Sequence, residues 1–228
     1  MRRAPILLAL TMAFVAAGCG GGGDSTGTVA TGTVATDTTA SAGASGCQNV
    51  EAPAARKDGN ETAPTTRLDP TKTYTLTFDT SCGTFVVTLD QKLAPNTAAS
   101  LVSLANKGFF DKTVFHRIVP GFVIQGGDPL QDGTGGAGYS TVDKPKPDSA
   151  YVKGVVAMAK TGAEPAGTGG SQFFIVTGDD IGLPPDYAIV GKVTDGQSVV
   201  DTIGKLGDPA TEKPLQPVVV NKVTVGES

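Results

Sequence analysis

The sequence predicts a mainly β fold: an antiparallel sheet, closed or nearly closed on itself, with two helices covering its open ends. Three observations lead there. Tyr74, Leu76 and Phe78 alternate with polar residues, and after Ser81-Cys82-Gly83 so do Phe85, Val87 and Leu89, the pattern of a hairpin with one buried face. Only two stretches carry helical periodicity. The remaining apolar runs, around Val114, Phe122, Val155, Phe173 and Ala188 and from Val218 to Val225, read as short strands.

The first helix begins at Pro95, a residue suited to a helix's first turn because its missing N–H would have no partner there. Ala98, Leu101, Val102 and Ala105 follow at i, i+3, i+4 and i+7, and Gly108 closes the segment. The second helix is expected from about Gln197 to Leu206, with Val199, Val200, Ile203 and Leu206 on one face and Asp195 near its start.

A preamble precedes the fold. Met1-Arg2-Arg3 and the apolar run Ala4–Ala17 have the charged and hydrophobic parts of a bacterial export signal, and the run is too short to span a bilayer comfortably. Ala16-Ala17-Gly18-Cys19 resembles the lipobox at which bacterial lipoproteins are cut and diacylated, so Cys19 is expected to carry a lipid anchor. Secretion as a soluble protein is the alternative. Gly20–Gly46 is built mainly of Gly, Ser, Thr, Ala and Val, with Thr26-Gly-Thr-Val-Ala repeated at once, and cannot bury enough surface to order itself. The expected organisation is a signal peptide over residues 1–18, a lipidated cysteine and flexible tether over 19–72, and a folded domain over 73–226.

The chain has 18 basic and 22 acidic residues; losing Arg2 and Arg3 leaves 16 basic and a net charge of −6. Such a chain is not expected to seek nucleic acid or anionic lipid. With Cys19 acylated, Cys47 and Cys82 remain as an even pair, either bridged in an oxidising compartment or present as two separate thiols. One histidine and two distant cysteines do not make a metal ligand set.

The chemistry concentrates in Phe115–Asp128, which reads Phe-His-Arg-Ile-Val-Pro-Gly-Phe-Val-Ile-Gln-Gly-Gly-Asp. Val114–Val119 and Phe122–Ile124 flank the pair Pro120-Gly121, giving strand, tight turn, strand. Alternation places Phe115, Arg117 and Val119 on one face and His116 and Ile118 on the other. An arginine among apolar groups is often only an edge residue lying over its neighbours.

This segment resembles the signature of the cyclophilins, peptidyl-prolyl cis/trans isomerases, and two further blocks, Val155–Ala159 and Gly170–Ile175, follow in the family's order. The resemblance covers roughly Thr73 to Val225. It implies a closed eight-stranded antiparallel barrel capped by two helices, acting as a monomer on proline-containing polypeptides without a cofactor. It also implies Arg117, Phe122 and Gln125 as catalytic residues and Val123, Phe174 and Leu183 as the rest of the proline pocket. Ala159, Lys160 and Gln172 take peptide-backbone positions, Tyr187 the rim, Gly133 a groove wall and His116 a groove-lining place. Val123 replaces a common methionine, Lys160 a common asparagine and Gly182 a tryptophan of well-known members, so the pocket is expected to be shallower and more open.

Two other chemistries fit less well. Gly133–Gly138 matches the dinucleotide pattern G-x-G-x-x-G but leads into Tyr139-Ser-Thr-Val and two prolines rather than a helix. A hydrolase would have to use His116, and no G-x-S-x-G elbow or other nucleophile signature accompanies it. The sequence therefore points to an exported, membrane-anchored prolyl isomerase. A cell-surface proline-peptide binding module with incidental catalysis is the alternative.

Overall fold

A computed structural model of the chain describes residues 46–57 and 59–228. Cys19, the export signal and most of the Gly20–Gly46 segment lie outside them.

Strands β1 (Tyr74–Thr80) and β2 (Gly83–Leu89) form the expected hairpin, and helix α1 (Pro95–Asn106) follows. Then come β3 (Thr113–Val114), β4 (Arg117–Val119), β5 (Val123–Gly126), β6 (Thr141–Val142), β7 (Val155–Met158), β8 (Thr168–Gly169), β9 (Phe173–Val176) and β10 (Ile189–Asp195). Helix α2 (Gln197–Gly204) and strand β11 (Val219–Glu227) complete the fold. Nine strands make one curled antiparallel sheet in the order β3-β11-β1-β2-β10-β7-β9-β5-β4, and β6 pairs with β8 apart from it.

The closed eight-stranded barrel expected from the resemblance is therefore corrected to an open, curled nine-stranded sheet. Its two edges, β3 and β4, are halves of what the sequence suggests is one strand. Thr113 and Val114 pair with β11 at one edge, whereas Arg117–Val119 pair with β5 at the other. Phe115 and His116, between them, belong to neither ladder.

That break also corrects the alternation. Phe115 and Ile118 are both fully buried in the main core, three residues apart rather than two, so Arg117 does not share the face of Phe115. Phe115 packs near Phe85 and Phe173, and Phe173 also meets Phe78 and Phe110 edge-on or tilted. The core lies on the sheet's inner face, where α1 adds Ala98, Leu101, Val102 and Ala105, and α2 adds Val200 and Ile203. Asp143, far along the chain, caps α1: its carboxylate accepts the Thr97 amide at 2.7 Å and the Asn96 side chain at 2.9 Å.

Residues 47–57 and 59–72, read from the sequence as the last part of the tether, run along the domain instead. Cys47 is disulfide-bonded to Cys82 in the β1–β2 turn, and the Gln48 amide donates to the Ser81 carbonyl at 2.7 Å. Farther on, the Arg56 amide donates to the Pro129 carbonyl at 2.9 Å, and the Arg56 guanidinium donates to the Phe109 carbonyl. The Glu61 amide reaches the Ala137 carbonyl at 3.0 Å and its carboxylate pairs with Lys107. The segment contains little periodic apolar sequence, and its fastening is a covalent bond plus backbone and side-chain polar contacts to distant parts of the chain, which composition does not announce.

Candidate active site

The β4–β5 hairpin turns at Pro120-Gly121, where Gly121 has φ +70° and the Phe122 amide donates to the Val119 carbonyl at 3.0 Å. This tight turn sets the register Arg117 opposite Gln125 and Val119 opposite Val123. β5 in turn places Gln125 opposite Phe174, and β7 places Ala157 opposite Phe174. Directly opposed residues in antiparallel ladders share a face. Arg117, Gln125, Phe174 and Ala157 thus form a row across four strands, on the face turned away from the main core.

A second apolar cluster occupies that outer face. Val123, Tyr151, Val155, Ala157, Phe174 and Val176 are buried in it, with Phe122, Leu183 and Tyr187 packed partly exposed against them. Tyr151 holds the rim: its hydroxyl donates to the Tyr187 carbonyl at 2.7 Å and accepts the Tyr187 amide at 3.0 Å. The Tyr187 ring stands edge-on to Phe174 with centroids 5.5 Å apart.

Above this cluster is a hollow of about 230 Å³ walled by Phe122, Val123, Phe174, Leu183 and Tyr187, with Arg117, Gln125, Ala159 and Lys160 around its mouth. The structure therefore brings together nine of the residues singled out from the sequence. A larger hollow of about 740 Å³ adjoins it through Gln125, Ala159 and Lys160 and is bordered by the Gly133–Gly138 loop and Gln172.

The polar groups form a chain. Arg117 Nε donates to Glu212 Oε2 at 2.7 Å, and Nη1 lies 3.5 Å from Gln125 Oε1. Gln125 Nε2 donates to Gln172 Oε1 at 3.0 Å, and Gln172 Nε2 donates to the carbonyls of Gly133 and Gly135 at 2.9 and 2.8 Å. Gln172 thereby pins the glycine loop as a groove wall. Nη2 of Arg117 makes no hydrogen bond among the described residues.

Three of the expected site residues have their own contacts. The Lys160 side chain is 3% exposed and its ammonium pairs with Asp186 at 2.5 Å. It also donates to the carbonyls of Glu164 and Thr161 at 3.1 and 3.3 Å. The Ala159 amide is taken by the Gln172 carbonyl at 2.9 Å. His116 lines neither hollow; its ring sits under Gly133, where a Cβ would meet Nε2 at 3.8 Å. Burial holds the imidazole below its ordinary pKa, against the opposing pull of the Asp128 carboxylate, and neither ring nitrogen is hydrogen-bonded.

Sequence reasoning missed Glu212 and Tyr151. Glu212 lies 95 residues from Arg117 in a polar loop with no motif around it. Tyr151 follows the prolines of a loop, and only its aromatic size could have marked it as a support.

Residues 75–225 match the family model for cyclophilin type peptidyl-prolyl cis-trans isomerases. Peptidyl-prolyl cis-trans isomerase A of Mycobacterium tuberculosis is 37% identical over 174 residues, covering 68% of this chain and 94% of that one. Peptidyl-prolyl cis-trans isomerase B of Streptomyces anulatus is 36% identical over 168 residues, covering 65% and 94%. A crystal structure of a Cryptosporidium parvum cyclophilin type isomerase superposes with a TM-score of 0.63 at 29% identity, covering 68% of this chain and 98% of that one. The same protein has been crystallised in the presence of the dipeptide Ala-Pro and superposes with a TM-score of 0.62. The ordered motif blocks, the outer-face groove and these likenesses coincide on one stretch of sequence, and by them the chain belongs to the cyclophilin-type peptidyl-prolyl cis-trans isomerases, a family of enzymes.

Proposed function

We propose that the chain catalyses rotation about X-Pro bonds of exported polypeptides, with Arg117 donating a hydrogen bond to the prolyl nitrogen over the cup formed by Phe122, Val123, Phe174 and Leu183. Rotation is slow because amide resonance must be broken, a barrier of about 18–20 kcal/mol. In the twisted state the nitrogen regains its lone pair and becomes an acceptor, which it is not in the planar ground state. A donor aimed there acts on the transition state alone, and about 4 kcal/mol of such differential stabilisation is near a thousandfold in rate.

The observation that carries this reading is the state of the guanidinium. Glu212 holds its Nε edge and Gln125 lies toward Nη1, while Nη2 has no partner among the described residues and the apolar cup lies alongside. A module that only bound proline would need the cup but no such donor. Cys19 would anchor the protein on the extracytoplasmic face of the membrane, where exported chains fold without ATP and uncatalysed proline steps take tens of seconds.

A coupled prolyl-isomerase assay on the purified protein tests the proposal. Arg117→Ala should lower kcat/KM by roughly tenfold or more, and Arg117→Lys should recover little because a point charge does not reproduce the planar donor fork. Near-wild-type turnover in Arg117→Ala would remove the arginine from the mechanism.

A further inference from the structure

Glu212 sits in an unusual backbone conformation. Among the described non-glycine residues only Lys112, Gln131 and Glu212 have positive φ, at 59°, 65° and 58°. That region is sterically costly for a residue with a Cβ and persists where surrounding contacts enforce it. Here they do. The Glu212 amide donates to the Asp208 carbonyl at 2.7 Å, and the Asp208 amide donates to the Lys213 carbonyl at 2.8 Å. The Asp208 carboxylate accepts the amides of Ala210 and Thr211 at 2.7 and 3.1 Å, so the loop is closed upon itself.

The same loop is docked on β4, the strand that carries Arg117. The Ile118 amide donates to the Glu212 carbonyl at 2.8 Å. Gly207 lies so close beneath that a Cβ there would stand 2.2 Å from the Ile118 carbonyl oxygen. The residue next to Arg117 thus fixes the backbone of Glu212, and the Glu212 carboxylate returns to Arg117 Nε at 2.7 Å.

We infer that Glu212 is a positioning residue for Arg117, holding the Nε edge of the guanidinium so that its Nη edge faces the proline cup. The inference rests on the isomerase reading of the groove. An arginine on a β-strand edge has several free torsions, and a donor must point at a nitrogen that accepts only in the twisted state. A hydrogen bond at Nε restrains the guanidinium while leaving Nη2 without a partner among the described residues. A carboxylate also weakens the cation's field, which by itself would slow the reaction. Both side chains are substantially exposed, 36% for Arg117 and 46% for Glu212, so water screens that field, whereas the direction set by a short hydrogen bond is not screened away.

The test measures isomerase kinetics and melting for Glu212→Gln, Glu212→Gly, Arg117→Ala and the double variant Arg117→Ala/Glu212→Gln in the full chain. Glu212→Gln should lower kcat roughly three- to tenfold with KM changed less than about twofold and Tm unchanged, since only orientation is lost. Glu212→Gly should lose kcat similarly while its Tm is unchanged or higher, because glycine relieves the left-handed conformation. In the Arg117→Ala background the Gln substitution should change kcat by less than about 1.5-fold, the mark of a residue acting through the arginine. An impaired Arg117→Ala beside a fully active Glu212→Gln overturns the inference alone, as does a loss that persists in the Arg117→Ala background. A fully active Arg117→Ala removes the arginine from the mechanism, and the inference with it, whereas a wild-type chain without turnover overturns the isomerase reading.

Discussion

Replacing both bridged cysteines, as Cys47→Ala/Cys82→Ala, removes the covalent hold on residues 47–72 without leaving a lone thiol. The two are separated by 35 residues. In the chain-entropy account a closed loop of that length raises the free energy of the unfolded ensemble by about 4 kcal/mol. A domain of this size loses about 2–4 °C of Tm per kcal/mol, so the melting temperature should fall by roughly 8–15 °C. A second effect is local. Between residues 48 and 57 most residues are exposed, and what remains is a few backbone hydrogen bonds at Gln48, Arg56 and Glu61 and side-chain contacts at Pro53, Arg56 and Glu61. With so little buried apolar area, an unlinked segment opens at little cost in free energy. Calorimetry reads the first effect, and amide exchange at Arg56 and Glu61, compared with β9, reads the second. A Tm within about 2 °C of wild type, with both amides still protected, would refute the reasoning.

Three further outcomes are expected. Leu183→Ala should raise KM for proline peptides several-fold with little change in Tm, because Leu183 lines the cup while remaining partly exposed, whereas Phe174→Ala, 5% exposed, should cost both binding and roughly 3–5 kcal/mol of stability in a denaturant titration. Since burial depresses the His116 pKa, the unfolded chain takes up a proton first as pH falls through the ordinary value of 6.5; stability should therefore rise with pH below that value and level off above it, and melts of His116→Gln should lack this slope. Cys19→Ser should move the protein from the membrane to the soluble fraction, because each buried methylene of an acyl chain contributes about 0.8 kcal/mol; equal membrane partition of the variant would end the anchor proposal.

Much of the fold could be read from residue order because its forces are local. The alternation of Tyr74–Leu89 and the spacing of Ala98, Leu101, Val102 and Ala105 reappear as β1, β2 and the buried face of α1. Elsewhere long-range contacts decided. Nothing around Phe115 and His116 announces a break in a β-prone run, yet the ladders on either side belong to opposite edges of the sheet, and the break turns Phe115 and Ile118 inward together. The groove residues were legible only through the likeness of motif blocks, since Arg117, Gln125 and Phe174 meet through strand register rather than sequence proximity. The Lys160 ammonium pairs with Asp186, 26 residues away, and Glu212 meets Arg117 through a loop whose composition is merely polar. Cysteine counting raised the Cys47–Cys82 pair but could not choose between bridge and free thiols, a choice that depends on distance.

The disulfide also decides where mechanical load would enter the fold. Tension applied to the chain ahead of Cys47 passes through the sulfur bridge into Cys82, bypassing residues 48–81. Cys82 sits at the turn of β1 and β2, which are interior strands flanked by β11 and β10. Force is thus delivered to the middle of the sheet, while the edge strand β4 with Arg117 stands at the far end of the strand order. A pull on the chain ahead of Cys47 would thus be met first where the hydrogen-bonded ladder is continuous on both sides.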